Sequence, residues 1–289
     1  MTIERSRVRA VAKPWGSKDL HPWGQLHEDG TAIGELWFLR AEDAAPAPAL
    51  LPKLLFTKQP LSIQVHPDDA HARSIGLANG KTEAWYILST TPDSRIALGL
   101  TKRLTPDELR RAIESGAIAD LVDWRAVQAG ETILVPAGTI HALGAGLAVA
   151  EIQQNSDATF RMFDYGRDRP LDVDSAVAVA VTTPFIDYPA PQALSAGRTL
   201  LTTSPYFVLE QIDLPHGTDW HLHARSETWA MLLNGCARLG SMDVSAGEAV
   251  FLDRADTGIK VGPDGLRGLL AYVATEPILD LLRPQFDMD

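Results

Sequence analysis

The sequence predicts a mainly β protein folded as two β-barrels with a few short helices. Three observations carry that expectation. Apolar–polar alternation recurs along most of the chain; 22 glycines and 19 prolines interrupt it at short intervals; and a His-x-His or Gln-x-His step ahead of a glutamate occurs once in each half. Alternation of period two puts successive side chains on opposite faces of a strand. Glycine and proline close such strands with turns.

The elements follow in order. Leu61-Ser62-Ile63-Gln64-Val65-His66 reads as a strand with Ile63 and Val65 on one face and Gln64 and His66 on the other. Ala84 to Leu88, Glu131 to Val135 and Ala148 to Ile152 are further strands, each bounded by Gly, Pro or polar residues. Thr105-Pro106-Asp107-Glu108 supplies an N-cap, a proline at the first helical position and a capping-box glutamate. Leu109, Ile113, Ala117 and Leu121 then recur every four residues, the stripe of one helix lying on a sheet. A second helix is expected from about Asp174 to Val181. Thr183-Pro184 and the linker Tyr188-Pro189-Ala190-Pro191 place a domain boundary there, giving residues 1–182 and 183–289. In the second part Tyr206 to Asp213, Thr228 to Leu233, Ala249 to Leu252 and Leu269 to Val273 continue the strand pattern. Asn234-Gly235 is the signal of a type I′ hairpin.

Composition narrows the function. The net charge is −11 with no dense Lys/Arg run, so nucleic acid and anionic membrane are poor partners. An anionic small substrate remains compatible, because local cations outweigh distant charge beyond a screening length of roughly 10 Å. The lone Cys236 rules out an intrachain disulfide framework and fits a reducing cytoplasm. No apolar h-region follows the charged first ten residues, and no apolar run approaches the ~20 residues of a spanning helix. A soluble protein is expected.

Chemistry concentrates in the first half. Gln64 and His66 share a strand face, and Glu83 opens the next strand after Gly80-Lys81. Gly130, Pro136, Gly138 and His141 stand in the spacing G-x5-P-x-G-x2-H, where a strand delivers a turn and the turn delivers a histidine. Gln64, His66, Glu83 and His141 thus offer a mixed N/O ligand set to one barrel interior, and two imidazoles with a carboxylate suit zinc, one ion per chain. Taken singly, a histidine at a strand end is more often a hydrogen-bonded surface group; His21, His27 and His71 fit that description.

The spacing around His141 resembles the second cupin motif, which implies cupin-type (jelly-roll) barrels. QPLSIQVHPDD, GKTEAWYIL, VPAGTIHALG and EIQQNSDATFRMFDYGR, with KPWGS and Gly34-Glu35-Leu36-Trp37 before them, resemble the signature blocks of type I mannose-6-phosphate isomerases in their short form. The resemblance covers residues 10 to 182 well and the remainder loosely. It implies metal ligation by Gln64, His66, Glu83 and His141, and it places Lys81, Glu151, Asp157 and Arg161 in the active site. The implied reaction is aldose–ketose isomerisation of a sugar phosphate through a cis-enediol, with Glu151 as the favoured base and Asp157 its rival. Competing readings are an iron oxygenase, an isomerase of unphosphorylated aldoses and a non-catalytic sugar-binding cupin. His221, His223 and Glu227 copy the first motif in the second barrel. No histidine follows Gly247, so that barrel is expected to be non-catalytic, with a three-ligand second metal site as the minor reading.

Overall fold

The computed structural model describes residues 1–24, 30–42 and 46–285; His27 lies outside them. Its strands form three antiparallel sheets. A six-stranded sheet runs in the order Arg7–Ser17, Ile33–Leu39, Leu50–Thr57, Leu147–Gln154, Glu83–Thr90, Thr132–Val135. A five-stranded sheet follows the order Phe160–Phe163, Ile63–Val65, His141–Leu143, Arg95–Leu100, Val122–Ala126. The C-terminal part, with the N-terminal strand Thr2–Arg5 paired to Ala249–Asp253, makes a ten-stranded sheet.

The two smaller sheets face each other across a core of Trp15, Leu55, Trp85, Ile87, Ile96, Leu98 and Val149. Helices cover the outer face of the five-stranded sheet, where Ile63, Val65 and Ala142 pack on Leu109, Ile113 and Ile118. This is why Ile63 and Val65 turn outward and leave Gln64 and His66 to the interior. The outer face of the six-stranded sheet meets the ten-stranded sheet: Leu54, Phe56, Tyr86 and Ile152 share one core with Phe207, Trp229, Met231 and Phe251. Leu50–Thr57 and Leu147–Gln154 are buried at every residue because both of their faces are covered. A further core, including Leu222, Leu232, Leu252 and Leu270, fills the C-terminal barrel. Fold and neighbours agree with the expected mainly β, cupin-type architecture.

Two local expectations change. The helix read as one stripe is two: Pro106–Ser115, with its capping box formed, stops at Gly116 in the left-handed region (φ 79°), and Ile118–Leu121 follows. The stop resets the phase, so Ile118 is buried where Ala117 is exposed. The expected 174–181 helix is Val173–Val179. Asn234-Gly235 is not a hairpin. The strand Thr228–Leu239 runs straight through it, with register shifts on either side. Gly235 (φ 76°) lies so near the neighbouring strand that a Cβ would sit 2.0 Å from Gly265 O, so the glycine serves close approach at a bulge. The two-residue turn comes at Gly240-Ser241, closing the pair Leu239–Met242.

Candidate active site and metal centre

The five-stranded sheet presents His66 just past Ile63–Val65 and His141 at the start of His141–Leu143, where His141 pairs with Gln64. The six-stranded sheet presents Glu83 from across the interior. A tight turn at Gly138 and a close backbone approach at Gly80 bring these segments together. Gly138 (φ 86°) donates its N–H to His66 O at 2.8 Å, which ties the turn before His141 to the His66 segment. Gly80 lies against Pro67–Asp69, where a Cβ would meet Asp68 C at 2.5 Å, and Lys81 N–H then donates to Pro67 O at 3.0 Å.

The result is a buried cluster of His66, Glu83 and His141 with ligand atoms within 4.8 Å of one another. His66 Nε2 lies 3.5 Å from Glu83 Oε2, and His141 Nε2 lies 3.5 Å from Glu83 Oε1. Each ring has its other nitrogen committed: His66 Nδ1 to Ala158 O at 2.7 Å and His141 Nδ1 to Thr139 O at 2.8 Å. A carbonyl only accepts, so Nδ1 carries the proton in both rings and Nε2 offers a lone pair. Burial and the nearby Lys81 ammonium push His66 down to about 3. Burial likewise lowers His141. Burial opposes ionisation of Glu83, but the Lys81 ammonium beside it outweighs that and holds the carboxyl well below the usual range. Two neutral imidazoles and an ionised carboxylate, converging with few other partners, are the protonation states a divalent ion requires. Glu83 Oε2, 2.9 Å from Lys81 Nζ, is buried without a well-aligned hydrogen bond. Gln64 joins through Nε2, 3.3 Å from His141 Nε2, while its Oε1 accepts from Ser62 Oγ at 3.1 Å. A half-turn of the amide exchanges the two and aims Oε1 at the histidines. The donor set fits a metal.

Beside the cluster lies a polar cavity of about 200 Å³, lined among others by Gln64, Lys81, Glu151, Asp157 and Arg161. Lys81 is buried, with Nζ 3.1 Å from His66 Nε2. Burial disfavours its charge, but the carboxylates of Glu83 and Glu151 outweigh that and raise its pKa. Glu151 is buried and accepts from Trp85 Nε1 at 3.2 Å. Burial and the charge of Glu83 push its carboxyl up, against the pull of Lys81 and Lys53. Asp157 is exposed. Arg161 donates to Pro170 O at 3.1 Å, and its Nε is buried without a partner. All eight sequence candidates of the first half therefore surround one interior.

Sequence reasoning passed over the row behind Glu151. Trp37, Lys53, Glu151 and Trp85 stand opposite one another on successive strands and so share the sheet's inner face. Lys53 Nζ lies 3.5 Å from Glu151 Oε1, 3.7 Å from Glu35 Oε2 and 4.6 Å over the Trp37 ring. Lys13 reaches the other oxygen of Glu35 at 3.0 Å. The available signal was a single lysine inside the otherwise apolar Leu50–Phe56 run.

The second barrel does not assemble its copied motif. His221 and His223 are turned to Asp256, whereas Glu227 points to the other barrel and accepts from Ala49 and Leu50 N–H. Among the described residues the only three-ligand cluster is the one in the first barrel, which corrects the reading of a second metal site.

Fold and cluster together define a two-barrel cupin with one candidate metal centre. No family model matches the sequence. The chain is 42% identical over 145 residues to a probable mannose-6-phosphate isomerase of Bacillus subtilis and 36% identical over 168 residues to the mannose-6-phosphate isomerase of Streptococcus mutans. These matches cover 48% and 55% of the chain and span about half of each relative, 45% and 53%. A crystal structure of mannose 6-phosphate isomerase from Bacillus subtilis superposes with a TM-score of 0.81 at 26% identity, over 94% of this chain and all of the other. A zinc-bound mannose 6-phosphate isomerase, at 16% identity and a TM-score of 0.73, shares the fold. The chain is thus similar to mannose-6-phosphate isomerases in sequence over about half of its length and in fold over nearly all of it.

Proposed function

We propose that the chain interconverts mannose 6-phosphate and fructose 6-phosphate with one zinc ion held by Gln64, His66, Glu83 and His141. The observation that carries the reading is the buried His66–Glu83–His141 cluster opening onto a cavity that also holds Lys81 and Glu151. When bound, zinc supplies a Lewis acid for the oxygens of the open-chain sugar. Glu151 takes the proton from C2 of the aldose, giving the cis-enediol, and returns it to C1. Glu151 suits this task better than Asp157, because burial raises its pKa toward the working range of a proton carrier while Asp157 is exposed. The Lys81 ammonium donates to the oxygen that gains charge. Arg161, with an unpartnered Nε, pairs with the anionic end of the substrate. The activity is assigned to residues 1–182, with 183–289 non-catalytic. No helix among the described residues is long and apolar enough to cross a membrane. The single cysteine, which fits a reducing compartment, is what supports a cytoplasmic site of action.

The test is turnover of mannose 6-phosphate by metal-stripped protein, by the same protein with zinc restored, and by His141→Ala. Turnover only in the zinc-restored wild type is expected. Absence of turnover in zinc-loaded wild type, for mannose 6-phosphate and mannose alike, would overturn the isomerase assignment. Turnover of free mannose alone would overturn the phosphate requirement.

A further inference from the structure

Glu227 is the one acidic residue of the copied motif that reaches out of its own barrel. Its Oε2 accepts from Ala49 N–H at 2.6 Å and its Oε1 from Leu50 N–H at 2.8 Å, with Trp229 Nε1 donating to Oε1 at 3.1 Å. A carboxylate receiving two successive backbone N–H groups fixes both the position and the direction of that chain segment. Its own backbone is anchored in turn, because Glu227 O accepts from Val273 N–H at 3.0 Å.

The clamped segment is itself a support. Asn155 N–H donates to Ala49 O at 2.8 Å, and Asn155 Nδ2 donates to Pro48 O at 2.8 Å. Asn155 opens the loop that passes through Asp157 to Ala158, and Ala158 O is the acceptor that holds His66 Nδ1. A continuous path therefore runs from Glu227 through Pro48–Leu50 and Asn155–Ala158 to the ring of His66. Its last link is the hydrogen bond that sets the tautomer and the aim of a metal-ligand imidazole.

We propose that Glu227 is a positioning residue through which the second barrel orients His66 toward the metal. The proposal rests on the zinc reading above and gives the otherwise non-catalytic barrel a part in it.

The experiment measures zinc affinity by chelator competition in the full-length protein, with thermal stability followed in parallel. The variants are Glu227→Gln, Glu227→Ala, Asn155→Ala and Gln211→Ala. Gln211 accepts from Tyr86 OH at 2.9 Å across the same pair of barrels but does not touch the Pro48–Leu50 segment, so it controls for general loosening. Loss of a partner that orients a ligand typically weakens metal binding by about 10–100-fold. Further out along the path, Glu227→Ala and Asn155→Ala are each expected to weaken zinc binding by roughly tenfold, the low end of that range, with Glu227→Gln showing a smaller loss. The double variant Glu227→Ala with Asn155→Ala is expected to weaken it no more than either alone, because both cut one path. Gln211→Ala should leave zinc affinity within about twofold of wild type. Folded Glu227 variants that bind zinc like wild type would overturn the proposal, as would an equal loss in Gln211→Ala. A wild type that binds zinc tightly but turns over no sugar would sink the isomerase assignment and leave this path standing. A wild type that binds no zinc would end both.

Discussion

Glu151 and Asp157 differ in surroundings, and their surroundings decide their chemistry. Both line the cavity, yet Glu151 is buried beside Trp85 and Lys53 whereas Asp157 is exposed. Glu151→Gln is accordingly expected to lower kcat by ~10²–10⁴-fold, the usual contribution of a positioned proton carrier, while Asp157→Asn acts chiefly on KM. Steady-state kinetics on both variants checks this, and a larger kcat loss in Asp157→Asn would reverse the assignment. Lys53 contributes to where Glu151 titrates, after burial, Glu83 and Lys81. Burial and Glu83 raise that carboxyl, and Lys53 is one of two cations that pull it back. Removing the cation by Lys53→Met raises the pKa further, so less of Glu151 is ionised at a given pH. The acid limb of kcat/KM should therefore move to higher pH. The same variant leaves Glu35 and Glu151 short of a buried counter-charge, a situation that typically costs about 3–5 kcal/mol. A pH–rate profile together with denaturant unfolding measures both effects, and an unmoved acid limb would detach Lys53 from Glu151.

Several elements in this chain owe their places to glycines that allow backbone contact. Gly235→Ala is expected to destabilise by about 2–4 kcal/mol, since a Cβ 2.0 Å from Gly265 O must move backbone at a position already in the left-handed region. Gly240→Asn, in the true two-residue turn, should cost less than about 1 kcal/mol, because asparagine tolerates that region and the nearest atom is a threonine hydroxyl. Urea unfolding of the two variants discriminates a bulge from a hairpin at Asn234-Gly235. This pair also marks the limit of what the sequence conveys. Alternation and capping are local, so the strands around Gln64, Glu83 and Glu151 and the Thr105 capping box could be read directly. Whether Asn-Gly turns the chain or bulges it depends on a strand 30 residues away in sequence, and no local pattern encodes that. The site divides the same way. His66, Glu83 and His141 declare themselves by ligand type and spacing. Lys53, Glu35 and Lys13 matter only because three strands align them across a sheet, and each reads alone as an ordinary charge.

At the scale of the whole molecule, the six-stranded sheet carries chemistry on one face and the second barrel on the other. Along Glu83–Thr90, Glu83 and Trp85 turn inward to the cluster while Ala84 and Tyr86 enter the shared core with Trp229 and Phe251. The strand Thr2–Arg5 adds a covalent crossing, since it belongs by sequence to the first half and by pairing to the last sheet. Separating the halves would strip the apolar outer face of the sheet that supports Glu83 and Glu151. A fragment of residues 1–182 is therefore expected not to hold a native site, even though every proposed ligand lies within it. By the same coupling, the intact protein should unfold in a single transition in which both barrels report together. Zinc bound only to the folded first barrel then stabilises the whole, by about 2.7 kcal/mol at a free concentration one hundred times its dissociation constant. The measurement is thermal unfolding followed by far-ultraviolet circular dichroism and by calorimetry, with and without zinc. One coincident transition that zinc shifts as a unit is the expected result. Two transitions, with only one moved by zinc, would show that the shared core does not couple the barrels and that the second barrel is passive cargo.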